Sequence, residues 1–224
     1  MTMLELMGPV EAPVLKEALD EEGALCLRDV LDDTLLEVAL SLGEIVRDES
    51  VEVVNGGAGK PDSFGNILLS STNDAFRLHT DGYNRTERPH YLVLLRIDNG
   101  VELPVTYVAD SREAFKTLDD STLATLKTAT FPYARGLTAV ISENYFSFNL
   151  DEIERWSAEQ KFGPALFAAQ LAAAQRLSSA LSAVANHLTL VGRSCLILDN
   201  HRVCHGRSAL SAVSARKLRR VWIR

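Results

Sequence analysis

The amino-acid sequence predicts an α+β fold built on an antiparallel sheet sandwich or barrel. Three observations lead to this expectation: helical patterns open the chain, apolar strand-like runs follow them, and one long helical insertion interrupts those runs. A regular alternation of strands and helices would instead indicate a parallel βαβ sheet. The order of the elements therefore favours an antiparallel core.

The N-terminal region, about residues 1–50, reads as a helical lead-in. Residues 13–23 have helical character up to a glycine, and the apolar run "ALCL" directly after them predicts a short strand. Residues 32–46 carry apolar side chains at helical spacing, with Asp32 or Asp33 in the N-cap position. We expect two helices here with a strand between them.

The middle of the chain changes from helical to strand-like patterns. Residues 54–66 are rich in Gly, Pro, Asn and Ser, which predicts a loop. Residues 91–97 and 103–109 are apolar runs with β-branched residues, which predict buried strands. Asp110 or Ser111 then provides the N-cap of a new helix.

A helical insertion, about residues 110–190, separates these strands from the last ones. Its main feature is an Ala- and Leu-rich helix predicted over 164–187, with Pro164 acceptable in the first turn. Residues 194–200 and 217–223 are again strand-like. We therefore expect one helical insertion within the strand-forming part of the chain.

Length and composition fit one domain spanning residues 1–224, since 46% of the residues are hydrophobic and 24% are charged. The net charge of −7 and the pI of about 5.3 argue against nucleic acid or an anionic membrane as the main partner. Basic residues cluster only in "ARKLRRVWIR" at the end of the chain. That cluster could be a solvated tail, a nucleic-acid patch or an anion pocket.

Nothing in the sequence indicates secretion or membrane insertion. The first thirty residues lack a basic stretch followed by an apolar one, and no apolar run approaches about 18 residues. Cys26, Cys195 and Cys204 are scattered and form no CxxC motif, which argues against a disulfide scaffold or a cysteine zinc site. We expect a cytoplasmic protein.

His79 and Asp81 lie two residues apart in "FRLHTDGYNR", residues 76–85. On a strand such residues point to the same face, so an imidazole and a carboxylate could bind one metal ion together. A nitrogen and oxygen donor pair suits iron(II), manganese or zinc. The H-x-D pattern is common by chance, so a polar pair at a strand end stays open as the alternative.

A third ligand would come from "ILDNHRVCHGR", residues 197–207, and His205 is the natural candidate. His201 could form an H-x-x-x-H zinc pair with it on a helix, but the flanking residues resemble a strand end and a turn. We therefore interpret His201 as a supporting or surface residue. Arg207 is predicted to pair with Asp199 and to brace the turn.

Arg216 and Arg220 have the same parity in "RKLRRVWIR", so on a strand they share one face. A guanidinium held inward among apolar side chains is costly unless it meets an anion. A structural salt bridge is the commoner explanation. Beside a set of two histidines and one carboxylate, however, an inward arginine could bind a dicarboxylate co-substrate.

These segments, "LHTDGY", "DNHRVCHGR" and "RKLRR", together resemble the iron(II)/2-oxoglutarate-dependent oxygenases, within them the taurine dioxygenase and clavaminate synthase-like superfamily. The resemblance implies that His79, Asp81 and His205 bind the metal. It also implies that Arg216, eleven residues after His205, and Thr106 bind a carboxylate of 2-oxoglutarate. Arg220 would contact the co-substrate or a substrate anion, with a structural salt bridge as the equal alternative.

The resemblance further implies a double-stranded β-helix (jelly-roll) core with flanking helices and the metal in its mouth. Fe(II), 2-oxoglutarate and O2 would be the cofactors and co-substrates, and succinate and CO2 would be released. A carboxylate at position 81 favours hydroxylation, or a related desaturation or cyclisation, because the halogenases of the superfamily have Gly or Ala there. The small-molecule substrate would be polar, and a free amino acid or derivative is common in this branch.

Two other functions stay open on the sequence. One is a non-redox zinc or manganese enzyme on the same barrel, and the other is a catalytically silent 2-oxoglutarate-binding protein. An inward Arg216 favours the oxygenase over a simple hydrolase, which has no use for that side chain. The sequence leaves the exact substrate and the oligomeric state open, a homo-oligomer included.

Overall fold

The computed structural model describes residues 4–7, 12–53, 59–60, 69–98, 103–159, 164–211 and 216–224. The strands are β1 (Leu4–Met7), β2 (Ala24–Arg28), β3 (Ile45–Val53), β4 (Phe76–His79), β5 (Tyr91–Arg96), β6 (Val105–Asp110), β7 (Thr130–Tyr133), β8 (Gly136–Ala139), β9 (Asn186–Thr189), β10 (Cys195–Asp199), β11 (Val203–Arg207) and β12 (Arg216–Ile223). The helices are α1 (Ala12–Glu22), α2 (Asp32–Leu42), α3 (Ser111–Phe115), α4 (Asp120–Thr128), α5 (Leu150–Glu159) and α6 (Ala168–Val184).

Two sheets form the centre of the described structure. The larger sheet has the spatial order β1-β2-β10-β5-β12-β3, and the smaller has the order β4-β11-β6-β9. Every pairing in these two sheets is antiparallel except that of β1 with β2. The predicted α+β class with antiparallel sheets is therefore confirmed.

Apolar side chains from both sheets meet in a common core, which includes Leu94, Val108, Leu196, Leu218 and Trp222. Alternation along each strand sends the other side chains outward, because successive residues of a strand point to opposite faces.

The outer faces of both sheets are covered by helices. α1 and α2 pack on the larger sheet, where Leu19 and Leu35 share a buried cluster with Val221 and Ile223 of β12. The segment between β6 and β9 covers the smaller sheet, and Leu177 of α6 shares its cluster with Cys204 of β11 and other apolar residues. Strands β4 and β11, which carry or precede the predicted metal ligands, therefore lie between the interior core and this helical cover.

Several predicted boundaries need correction. Asp32 and Asp33 are not the N-cap of α2, because Leu31 occupies that position without a capping side chain and both aspartates lie in the first turn. There a carboxylate is favoured by the helix dipole. The predicted helix over 32–46 ends at Leu42, since the chain re-enters the sheet as β3. Asp110 does cap α3, accepting a hydrogen bond from the Arg112 amide.

The insertion is less purely helical than predicted. It contains the β7–β8 hairpin, and the predicted helix over 164–187 is a 3₁₀ turn, Pro164–Phe167, followed by α6. The predicted loop over 54–66 falls outside the described residues except for Gly59 and Lys60. No helix in the part of the chain that the structure describes combines the length and apolar character needed to cross a membrane.

Candidate metal centre

His79 and His205 lie opposite each other across the antiparallel β4–β11 ladder, with ring centroids 4.4 Å apart. Asp81 follows β4, and its Oδ1 lies 3.5 Å from His79 Nε2 and 3.9 Å from His205 Nε2. One donor atom from each of the three residues lies within 4.8 Å of the others, and all three side chains are buried. Among the described residues, this is the one group of such side chains with metal-binding geometry.

Asp81 reaches this position from a turn, whereas the sequence interpretation placed it on a strand with His79. β4 ends at His79, and Gly82 takes a φ of 68°, where a Cβ would lie 2.8 Å from Pro89. Asn200 fixes the turn from the β10–β11 connection. Its Oδ1 accepts from the Asp81 amide at 2.8 Å, and its Nδ2 donates to the carbonyls of Asp81 and Pro89.

The two carboxylate oxygens of Asp81 have different surroundings. Oδ1 faces the histidines, while Oδ2 accepts hydrogen bonds from Trp222 Nε1 at 2.8 Å and Arg220 Nη1 at 3.0 Å. Burial by itself raises the pKa of Asp81, but the Arg220 guanidinium, which donates to Oδ2, holds that pKa well below its usual range. Asp81 is therefore ionised, with one carboxylate oxygen directed at the histidine pair.

Each histidine turns a ring nitrogen toward Asp81. His79 Nδ1 lies 2.9 Å from the Arg77 carbonyl and the ring stacks on Phe76, so Nδ1 donates to that carbonyl and Nε2 faces Asp81. Burial, together with the neighbouring His79 ring, lowers the pKa of His205 to about 3. Two imidazoles and one carboxylate are the donor set that suits iron(II) and leaves coordination positions open.

Gly206 allows the close approach of β11 to β4. A Cβ at this position would lie 2.6 Å from the Phe76 carbonyl oxygen, and Cβ atoms in proteins essentially never lie that close to another heavy atom. The ladder register shifts at this residue, between His205 and Arg207. The glycine after His205 is thus needed to place the two histidines side by side.

A cavity of about 470 Å³ adjoins the histidines. Its lining includes Phe76, His79, Thr106, His205, Arg207, Arg216, Leu218 and Arg220. Arg216, Leu218 and Arg220 line it together, as their shared parity on β12 predicts.

The polar side-chain groups of Thr106 and Arg216 have no partner among the residues that the structure describes. The Thr106 Oγ1 atom is buried and makes no hydrogen bond within the described residues, and no ion pair or hydrogen bond of the Arg216 side chain is found there either. Burial and the nearby Arg207 lower the pKa of Arg216 to about 10. A buried hydroxyl and a buried guanidinium on one cavity wall fit a carboxylate ligand.

Arg220 differs from Arg216, because it is already engaged by protein carboxylates. Its guanidinium binds Asp81 and also donates to Glu49, with Nε at 2.9 Å from Oε1. Arg220 therefore forms the salt bridges that were one of its two predicted roles, and its side chain also borders the cavity.

One supporting prediction needs correction. Arg207 does not brace Asp199; it donates to the carbonyls of Thr72 and Asp74, because β11 carries its side chain toward the segment before β4. Asp199 instead accepts from the His201 amide at 3.0 Å. The His201 ring stacks on His90 and does not belong to the metal group.

No protein-family model and no curated protein matches the sequence. Solved structures do resemble it. Asparagine oxygenase AsnO gives a TM-score of 0.72 at 17% identity, covering 95% of this chain and 76% of its own. PvcB from Pseudomonas aeruginosa gives 0.70 at 18% identity, covering 98% and 86%. The non-haem iron oxygenase OrfP, solved with Fe and α-ketoglutaric acid, gives 0.67 at 16% identity, covering 95% and 79%.

The chain has the fold of the iron(II)/2-oxoglutarate-dependent oxygenases. The resemblance read from the short motifs thus agrees with the folded chain over nearly its whole length. Within the oxygenase fold, sequence reasoning missed Asn200, Glu49 and the role of Trp222. Trp222 shares the parity of Arg216 and Arg220 on β12, and that signal could have identified it.

Proposed function

We propose that this protein is an iron(II)- and 2-oxoglutarate-dependent dioxygenase that hydroxylates a small polar substrate, an amino acid or amino-acid derivative, and releases succinate and CO2. The observation that carries the proposal is the juxtaposition of two features. A buried set of two histidines and one carboxylate adjoins a cavity wall on which Arg216 and Thr106 have no protein partner.

Each residue has an assigned task. His79 Nε2, His205 Nε2 and Asp81 Oδ1 would hold the iron, and Arg216 with the Thr106 hydroxyl would bind the distal carboxylate of 2-oxoglutarate. When bound, iron, 2-oxoglutarate and O2 would supply the oxidising power for hydroxylation. The protein residues keep Asp81 ionised, fix the His79 tautomer through the Arg77 carbonyl, and orient the co-substrate.

We propose two roles for Arg220: it orients Asp81, and it lines the cavity in which the co-substrate would bind. Its bond to Asp81 Oδ2 turns Oδ1 toward the histidines, and its position beside Leu218 leaves it next to any carboxylate in the cavity. Because Glu49 already pairs with the Arg220 guanidinium, Arg220 should bind an added anion more weakly than Arg216 does.

The proposal includes a double-stranded β-helix (jelly-roll) core in one domain. Its support is the path of the chain: β3, β5, β10 and β12 belong to the larger sheet, while β4, β6, β9 and β11 belong to the smaller one. Most successive strands therefore cross from one sheet to the other, as the winding of a jelly roll requires. The segment between β6 and β9 would be the insertion of that domain.

The amino-acid substrate class is supported by the proteins of similar structure. AsnO was solved with Fe(II), 3-hydroxyasparagine and succinate, and OrfP with (3S)-hydroxy-L-Arg. Both proteins have a similar fold and were solved in complex with a hydroxylated amino acid. The same class is our proposal for this chain.

A succinate assay tests the proposal. The protein is incubated with iron(II), ascorbate and 2-oxoglutarate against a panel of amino acids, and succinate is measured. We expect at least one amino acid to stimulate succinate release, His79→Ala to abolish it, and His187→Ala, an exposed histidine outside the site, to leave it unchanged. Full turnover by His79→Ala would end the proposal.

Two alternative functions both predict that no succinate forms in this assay, and they differ from each other in what the protein binds. A zinc or manganese enzyme would retain tightly bound zinc or manganese on purification and form no succinate. A silent binding protein would bind 2-oxoglutarate without turnover for any substrate. The unpartnered Arg216 favours the oxygenase over the first alternative, because a simple hydrolase does not need a dicarboxylate site.

A further inference from the structure

A second cavity, of about 640 Å³, lies beside the segment that follows the Asp81 turn. Residues 84–86 and Arg88 form one part of its lining and the β7–β8 hairpin forms another. Three arginines line it, Arg85, Arg88 and Arg135, and none of the acidic residues that the structure describes belongs to the lining. The cavity is therefore positively charged.

The arginines of this cavity have different surroundings. Arg88 is held by the hydroxyls of Ser147 and Thr138 and lies 4.1 Å from the centre of the Tyr145 ring, so it has a structural role. Arg85 forms no ion pair with any carboxylate that the structure describes, and its guanidinium lies over the indole of Trp222 at 5.1 Å.

The charge around Arg85 is not balanced by nearby carboxylates. Arg47 and Arg220 also lie against the Trp222 ring, at 4.9 and 5.4 Å. Glu49 pairs with both of these arginines and Asp81 also pairs with Arg220, so two carboxylates face three arginines. Burial and the positive neighbours lower the pKa of Arg85, which reflects the same excess of positive charge.

Trp222 connects this cavity to the metal centre. Its Nε1 donates to Asp81 Oδ2, while Arg85 lies over its ring. A group bound by Arg85 would therefore be separated from a metal ligand by a single indole ring. This places the cavity where part of a substrate can lie while another part reaches the metal.

We propose that this cavity, lined by Arg85, Arg88 and Arg135, binds an anionic group of the substrate. The inference rests on the proposed function and deepens it: the substrate is an amino acid or derivative whose side chain carries a carboxylate or a phosphate. Arginine forks bind both groups through paired charge-assisted hydrogen bonds.

Turnover with matched substrates tests the inference. Succinate release is compared for glutamate with glutamine, aspartate with asparagine, and O-phosphoserine with serine, which separates the carboxylate source from the phosphate source. We expect kcat/KM to favour at least one anionic member by about tenfold or more. Arg85→Gln should remove that preference, Arg85→Lys should restore part of it, and Arg155→Gln on α5, outside the cavity, should change nothing. A preference for the neutral members, or one that Arg85→Gln retains, would overturn the inference.

A binding measurement separates failure of this inference from failure of the proposed function. Trp156→Phe leaves Trp222 as the single tryptophan, and Trp222 lies against Arg85. The zinc-loaded protein, saturated with 2-oxoglutarate, is titrated with glutamate, O-phosphoserine and their neutral counterparts while its fluorescence is recorded. Saturable binding of an anionic member that Arg85→Gln weakens by about tenfold or more would support the site even without turnover. No saturable change, or one that Arg85→Gln leaves intact, would refute it.

Discussion

At the scale of single residues, the proposed centre depends on how Asp81 is held. Trp222 and Arg220 bind one carboxylate oxygen, Asn200 binds the backbone on both sides of the residue, and the second carboxylate oxygen is left for the histidines. Partners of this kind orient a metal ligand and raise the metal affinity.

Removal of the indole donor tests this arrangement. Trp222→Phe keeps the aromatic ring but loses the hydrogen bond to Asp81 Oδ2. We expect the affinity for manganese(II) or iron(II) to fall by about tenfold, the size typical of partners of metal ligands. Metal titration by calorimetry measures the change, and Trp156→Phe serves as the control because its Nε1 binds Glu152 on α5. Equal metal affinities in wild type and Trp222→Phe would contradict this reading of Asp81.

A second residue-scale prediction concerns His201. Burial, together with the stacked His90, lowers its pKa to about 4 from an ordinary value of 6.5. As the pH falls from 6.5 toward 4, the unfolded chain binds a proton at His201 and the folded chain does not, so the free energy of unfolding decreases over that range. His201→Phe keeps a ring beside His90 and cannot titrate.

Urea unfolding at pH 7 and at pH 5 checks this prediction. The loss of unfolding free energy between the two values should be smaller in His201→Phe than in the wild type. His187→Phe, at an exposed position, is the matched control. An identical loss in wild type and His201→Phe would show that His201 does not contribute to acid sensitivity.

The sequence predicted which residues form the candidate site better than it predicted the contacts that the neighbouring residues make. The motifs around His79, Asp81 and His205 were sufficient to select the side chains that the fold brings together. The contacts of Arg207 were not predictable, since the carbonyls of Thr72 and Asp74 carry no residue-specific signal. Backbone partners of this kind appear only once the chain is folded.

At the scale of elements, the metal centre depends on the spacing between β4 and β11. Gly206 lies where a side chain would collide with the Phe76 carbonyl, and the ladder register shifts at the same point. A shift of one strand relative to the other would separate His205 from His79.

Gly206→Ala tests the spacing. The added methyl group should force the strands apart, lower the melting temperature and weaken metal binding by about tenfold or more, because ligand positions tolerate little displacement. Cys204→Ala is the control on the same strand: it removes buried volume on the face opposite to His205 and should lower stability while leaving metal affinity unchanged. Normal metal affinity in Gly206→Ala would show that the close approach is not required.

The elements themselves were predicted unevenly. β5, β10 and β12 are apolar runs or alternating patterns, and each was recognised. β11 was not recognised as a strand. Its residues include His205, Gly206 and Arg207, which serve the candidate site and do not follow the hydrophobic pattern of a strand. Strand signals weaken where a strand carries function.

At the scale of the whole molecule, a bound metal would join parts of the chain that are distant in sequence. His79 and Asp81 precede the long segment between β6 and β9, and His205 follows it. The ligand set exists only in the folded chain, so metal binding should stabilise the fold.

Thermal unfolding measures this coupling. Manganese(II) at about 100 times its dissociation constant should stabilise the protein by roughly 2.7 kcal/mol and raise the melting temperature. His79→Ala should lose this response, and His187→Ala should keep it. A metal-dependent rise of equal size in His79→Ala would place the metal elsewhere in the molecule.

The global arrangement was predictable only in outline. Helix-first order and apolar runs indicated the α+β class, but the pairing of β12 between β5 and β3 joins segments far apart in the sequence. The short motifs related these segments to a known fold before any pairing was visible. Pairing itself depends on packing across the two-sheet core, which local patterns do not encode.

We propose that one metal ion and one molecule of 2-oxoglutarate bind side by side, held by His79, Asp81, His205 and Arg216. Visible absorption during anaerobic addition of 2-oxoglutarate to the iron(II)-loaded protein tests this arrangement. We expect a weak new visible band that is absent in His79→Ala and needs about tenfold more 2-oxoglutarate in Arg216→Gln. If the wild type shows no band, or if His79→Ala shows an unchanged band, the proposed arrangement is wrong.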